Sequence, residues 1–256
     1  MSKHRDFTVQ LENLRHEAST VARFFYADMA INHAASKSKV LLSKLNNTPL
    51  FWISCSAALQ SSAYISLGRI FDTSSKYNIS ALLDAMEKNI EIFQSPALIS
   101  RKKDGHLEDP PWLADYIQNA YYPTKKDVEK IRVKVAAYRE IYDRAIKPVR
   151  HKYLAHREKQ DRDEVNALYA AGKVEEIWKL TTFLLQLHKV LQELLINGRK
   201  PKFHPIRYSV KTIFDSNNHS GEMHERITKD VKKLMHFIEF ATVSTTEDKS
   251  NKKQKK

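Results

Sequence analysis

The chain has 256 residues, 42% of them apolar, and a formal net charge of +13 at pH 7. Its 5 glycines are too few for a sheet-rich fold, which needs glycine at tight turns, and no GxGxxG or Walker-type segment is present to cradle a phosphate. Cys55 is the single cysteine, so no intrachain disulfide can form and a reducing, cytoplasmic setting is expected.

The first residues, Met1-Ser-Lys-His-Arg-Asp, open a charged helix and contain no apolar signal region. Leu11, Leu14, Ala18, Val21 and Phe25 recur at helical intervals, and Ile31, Ala35, Ser38, Leu42 and Leu45 continue the pattern. Asn46-Asn47-Thr48-Pro49 ends the run. Residues 1–49 therefore read as a long helical element packing on a core at 50–197. A second helix covers 50–71. Residues 50–68 are long enough to span a bilayer, but Ser54, Ser56, Gln60, Ser61, Ser62 and Ser66 dilute them, which predicts a buried helix and no membrane association. Cys55 within it reads as a small buried hydrophobe. A third helix starts at Asn78-Ile79-Ser80, where Asn78 is a good cap, and runs to about Phe93. Residues 95–111 read as a loop, with Asp104-Gly105 and Pro110-Pro111 as breakers.

The clearest helix is predicted over 125–157. Val128, Ile131, Val135, Tyr138, Tyr142, Ala145 and Val149 alternate spacings of three and four, the seam of a helix packed on another. Pro148 should kink it, since proline cannot donate to the carbonyl of Arg144. Residues 174–196 show the same seam at Ile177, Leu180, Leu184, Leu187, Leu191 and Leu194, stopped by Asn197-Gly198. Both are expected to pack on each other and on 50–71. Residues 198–241 read as an irregular segment, with a short extended piece at 208–214, followed by an amphipathic helix at about 222–240. Residues 242–256 form a basic tail read as disordered, with Lys249, Lys252, Lys253, Lys255 and Lys256 outweighing Glu247 and Asp248. The fold class is all-α, a single helical bundle with a long N-terminal helix and an additional C-terminal one.

A positive field of this size attracts polyanions, nucleic acid being the commonest, although solubility alone would also account for it. The 11 histidines do not form a metal site: His151/His156 and His219/His224 are five apart, a spacing that a regular helix does not align, and no HExxH occurs. No GxSxG segment supports a serine nucleophile. No metal or cofactor is expected.

Chemistry is concentrated in Lys147-Pro-Val-Arg150-His151-Lys152-Tyr153-Leu-Ala-His156-Arg-Glu. An arginine, an adjacent polar residue and a histidine a few positions on resemble the signature of the HEPN superfamily of all-α proteins. Tyr64-Ile-Ser-Leu-Gly-Arg69-Ile-Phe-Asp72 and Tyr77-Asn-Ile-Ser-Ala-Leu-Leu83 add a likeness to its abortive-infection U branch, associated with bacterial defence against phage. The likeness runs over about 50–196. The bare pattern also occurs at Arg101/His106, Arg144/His151 and Arg199/His204, but the first and last are read as loops and the second straddles Pro148. On a straight helix, residues six apart point about 120° away from each other and lie roughly 9 Å apart along the axis, so Arg150 and His156 need a bend or a second subunit to converge.

The resemblance implies metal-independent RNA cleavage, with two motifs facing each other across a homodimer. Arg150 would hold the phosphate and His156 would move protons, while His151 would orient or supplement them; Lys152, Tyr153 and Arg69 are candidate substrate contacts. Arg69 and Asp72, three apart on a helix, are expected to pair with each other, with a reach to the site as the alternative. A neutralising antitoxin or defence partner fits the same reading. Two other functions remain open: a non-catalytic module that binds RNA or a partner through the same groove, and a helical adaptor. Were the motif incidental, Arg150 and Lys152 would be a solvated helix face and His156 a seam residue.

Overall fold

Helix formation follows the apolar spacing almost throughout. The computed structural model describes residues 3–151, 174–204, 209–216 and 221–241, and side chains from Asp6 onward. Among the described residues there are eleven α-helices, one 3₁₀ turn and no strand. The helices are α1 (Lys3–Lys37), α2 (Lys39–Asn46), α3 (Pro49–Phe71), α4 (Ile79–Lys88), α5 (Ser95–Lys103), α6 (Leu113–Asn119), α7 (Lys125–Ala145), α8 (Lys147–Val149), α9 (Val174–Asn197), α10 (Val210–Asp215) and α11 (Met223–Phe240), with the 3₁₀ turn Ile90–Phe93 after α4.

The long first run divides at Ser38. Its backbone turns extended, and its hydroxyl accepts from the Leu41 amide at 3.1 Å, which makes it the N-cap of α2. Apolar spacing passes straight across this break, so spacing alone does not mark it. α1 is the element on which the others converge, packing against α2, α3, α4, α9, α10 and α11. Phe7, Leu11, Leu14, Ala18, Val21 and Phe25 enter the main core with side chains of α3, α4, α7 and α9. Ala27, Ala30 and Ala34 enter a second, smaller core with α2 and α11. Each fully buried leucine contributes roughly 1.5–3 kcal/mol, which explains why the dense seam of α9 is so well defined. Leu180, Leu184 and Leu187 are completely buried.

The expected packing of α9 on α3 is taken over by α1, along which both helices lie, while α7 packs on α4, α9 and α3. The expectation of a buried helix applies only to the second half of α3. Ala63, Tyr64, Leu67, Ile70 and Phe71 are buried, whereas Leu50, Phe51 and Ile53 are exposed and Cys55 is half-buried. No helix among the described residues is long and apolar enough to cross a membrane.

Residues 95–111 are not all loop. Pro96 lies in the first turn of α5, where its missing N–H costs nothing, and Leu98 anchors the helix in the core. Asp104 and Gly105 then end it with positive φ angles of 44° and 84°. The short extended piece at 208–214 is instead helical from Val210, capped by Ser209; Tyr208 lies outside the described residues.

Candidate functional site

The helix predicted over 125–157 stops at Ala145. Pro148 cannot donate to the Arg144 carbonyl, so the chain turns at Ile146, makes the single turn α8, and widens into a π-type turn at Arg150 and His151. Lys152, Tyr153 and His156 lie outside the described residues. The structure therefore shows where Arg150 and His151 stand.

Arg150 lies across the last turns of α3. A Cβ added at Gly68 would sit 2.5 Å from Arg150 Nε, 2.6 Å from its Cδ and 2.7 Å from its Cζ, so only glycine leaves room for the guanidinium. One turn on, Asp72 leaves the helix and its Oδ2 accepts from Arg150 Nη2, the two carrying an ion pair. The other carboxylate oxygen accepts from the Tyr142 hydroxyl at 2.9 Å. Tyr142 is completely buried and stacks on Phe71, with ring centroids 5.2 Å apart. Its phenol is pushed far up, first by burial and then by Asp143. It stays protonated and can only donate to Asp72.

The pair is largely shielded, with side-chain exposures of 21% for Arg150 and 10% for Asp72. Burial pulls the Arg150 guanidinium down from its ordinary range, yet an arginine does not lose its proton in a protein. Among the described residues its buried Nε has no hydrogen-bond partner, and Asp72 takes Nη2, leaving Nη1 for another acceptor.

The i,i+3 pair expected between Arg69 and Asp72 is absent. The two residues leave α3 on different sides: Arg69 Nη1 reaches Glu17 on α1 at 3.2 Å and stays mostly exposed, while Asp72 turns to Arg150. Arg69 therefore stands apart from the Arg150 clamp. His151 is exposed on the widened turn. Two of the three competing arginines have other attachments. Arg144 pairs with Glu176 at 2.6 Å, and Arg199 with Glu193 at 2.9 Å. Arg101 is half-buried on α5, not in a loop, with Nε and Nη2 unpartnered among the described residues. No group of three or more potential metal-ligating side chains occurs among the described residues.

Sequence reasoning missed Gly68 as part of the site. A glycine inside a helix costs about 1 kcal/mol against alanine, so Gly68, next to Arg69 and one turn before Asp72, is itself a sequence signal of close approach. Tyr142 is the seam residue its spacing predicts, and the partner of its hydroxyl lies 70 residues earlier.

A family model described as AbiU2, of HEPN type, matches residues 5–223. No curated protein and no solved structure matches the chain.

Proposed function

The chain belongs to the AbiU2 family of HEPN proteins, and from that premise we propose that it is a metal-independent endoribonuclease acting on single-stranded RNA in a phage-defence or toxin role. The observation that carries this reading is the fixed position of Arg150, the arginine of the family-like motif, between Gly68 and Asp72. A guanidinium whose orientation is set before substrate arrives loses little entropy on binding a phosphate, and its positive charge opposes the charge that builds on a phosphorane.

In the proposed reaction the ribose 2′-hydroxyl attacks the adjacent phosphorus, forming a 2′,3′-cyclic phosphate as the P–O5′ bond breaks. One His156 takes the hydroxyl proton and a second, from a partner subunit, gives a proton to the departing 5′ oxygen. Arg150 Nη1 holds a non-bridging oxygen. His151, exposed beside it, orients or supplements these groups, with Lys152, Tyr153 and Arg69 as flanking strand contacts. The requirement for a 2′-hydroxyl makes DNA a poor substrate.

Purified protein is expected to cleave single-stranded RNA in EDTA, leaving cyclic or 3′-phosphate ends and free 5′-hydroxyls. His156→Ala should abolish cleavage with helicity unchanged, and Arg150→Lys should keep only part of it, lacking the fork. Cleavage by His156→Ala at the wild-type rate would remove the reading. The pairing of Arg150 with Asp72 also suits a second reading, a non-catalytic RNA-binding module in which the arginine only ties α8 to α3. Tight RNA binding with no cleavage by the wild type would favour it.

A further inference from the structure

One carboxylate of the interior is buried with no cation beside it. Asp28 lies on α1 where that helix packs against α3, and only 8% of it is exposed. Both oxygens accept from α3, Oδ1 from the Ser56 hydroxyl at 2.6 Å and Oδ2 from the Gln60 amide at 3.1 Å. Ser56 and Gln60 are one helical turn apart, so they reach Asp28 from the same face of α3. Among the described residues no ion pair holds Asp28. The nearest arginine in sequence, Arg23, turns elsewhere. It donates to the Thr20 hydroxyl at 3.3 Å, and its guanidinium lies 5.5 Å from the centroid of the Phe24 ring.

A charge taken out of water is costly unless hydrogen bonds and a counter-charge replace its hydration. At Asp28 the hydrogen bonds are in place and the counter-charge is not. Tying α1 to α3 does not require a charge, because a neutral amide there also accepts a hydrogen bond and is cheaper to bury. The carboxylate has about four lone-pair sites, of which Ser56 and Gln60 occupy a part, so it can accept further donors.

Those sites adjoin a cavity of about 140 Å³ between α1, α3 and the start of α9. Asp28 and Gln60 stand on its wall, with the aromatic side chains of Phe24, Phe25 and Tyr64 around them. Ala63 contributes only a methyl, which leaves the space between them open. Phe25, Ala63 and Tyr64 are buried, whereas Val174, also on the wall, is exposed, so the cavity meets solvent at the start of α9. A cavity of about 150 Å³ admits a molecule the size of benzene.

We propose that this cavity binds a small primary alkylammonium ion, its nitrogen donating to Asp28 and its chain lying against Phe24, Phe25 and Tyr64. The ammonium supplies the missing counter-charge, and aromatic rings attract a cation within about 6 Å of their centroids. The volume limits the chain to about four or five carbons. A metal ion is a poorer fit, since no group of three or more potential ligands occurs among the described residues. The site is separate from the Arg150 clamp: Gln60 precedes Gly68 on α3 by roughly 12 Å along the helix axis.

Calorimetry and thermal unfolding of the full chain at constant ionic strength test this with butylammonium, butan-1-ol and butyrate, which share a chain and differ in charge. Butylammonium should saturate a single site with a Kd on the order of 1 mM and raise the Tm, and the other two should do neither. Tetramethylammonium, which carries the charge but no N–H, should bind at least tenfold more weakly. Asp28→Asn should weaken butylammonium at least tenfold, and Ala63→Leu, which fills the space, should abolish binding with helicity retained. The control Glu129→Gln, which removes an exposed carboxylate from α7, should change it less than twofold. Should Asp28→Asn fail to fold, butylammonium against butan-1-ol on the wild type decides alone. Stabilisation by butan-1-ol equal to that by butylammonium, undiminished binding by Asp28→Asn, or no saturable binding to the folded wild type would each overturn the proposal.

Discussion

Arg150 owes its position to an atom that is missing as much as to one that is present. Gly68 lacks the Cβ that would collide with the guanidinium, and Asp72 supplies the charge that fixes it. These make opposite predictions from helix propensity. Alanine at a mid-helix glycine ordinarily stabilises by about 1 kcal/mol. Gly68→Ala should instead destabilise, by roughly 1–3 kcal/mol, because the new methyl displaces Arg150 from its ion pair. In an Arg150→Ala background the obstacle is gone and the same substitution should stabilise. Denaturant unfolding of the four proteins of this cycle decides the matter: stabilisation of the wild type by Gly68→Ala would refute the close approach. Asp72→Ala should cost about 3 kcal/mol, since it strands a shielded cation and frees the Tyr142 hydroxyl.

Among the helices, α7 has the most explicit start. The Thr124 amide and hydroxyl donate to Asp127 at 2.9 and 2.8 Å, closing a capping box. Burial would raise the Asp127 pKa, but these bonds and that of Tyr121 outweigh it and hold the carboxyl at about 2, below its ordinary 3.8. A depressed carboxylate stabilises the fold fully above the unfolded value and loses that contribution as pH falls from about 4 toward 2. Asp127→Asn should therefore cost about 1 kcal/mol at pH 7, and the difference from wild type should shrink through that window in urea titrations at stepped pH. How much of the element pattern was legible depended on the density of apolar spacing. α9 buries Ile177, Leu180, Leu184, Leu187, Leu191 and Leu194 in unbroken register, and that spacing predicts the helix almost to its ends. α5 buries only Leu98 and ends in Arg101, Lys102 and Lys103, so its nine residues carried too few apolar positions to show a period. The same distinction governs the site. Arg150 is named by a local motif, whereas its partner Asp72 is 78 residues away and nothing local ties the two.

For the molecule as a whole, two shielded imidazoles bear on acid stability. Burial lowers His188 to about 4, with Arg15 adding to the effect and Glu12 opposing it; burial also lowers His224 to about 4 against the opposing Glu225. Both groups stay neutral in the fold where the unfolded chain would take up protons near 6.5, so stability should decline as pH falls from about 6.5 to about 4. His224→Leu should flatten that decline in thermal unfolding followed by circular dichroism; an unchanged slope would show that His224 does not contribute. Assembly is a separate matter at this scale. Light scattering is expected to report a two-fold dimer, twice the 29.7 kDa chain, because Arg150 and His156 need a second copy to complete the proposed reaction. A stable monomer that still cleaves RNA would eliminate that arrangement. The central place of α1 bears on how the protein is made. The ribosome releases α1 long before α9 and α11, two of the helices that flank it. Through most of synthesis Phe7, Leu11 and Leu14 have no complete surface to bury against, and the main core closes only when the final third of the chain emerges. A nascent chain is thereby kept from its finished form until α9 and α11 have emerged to cover α1.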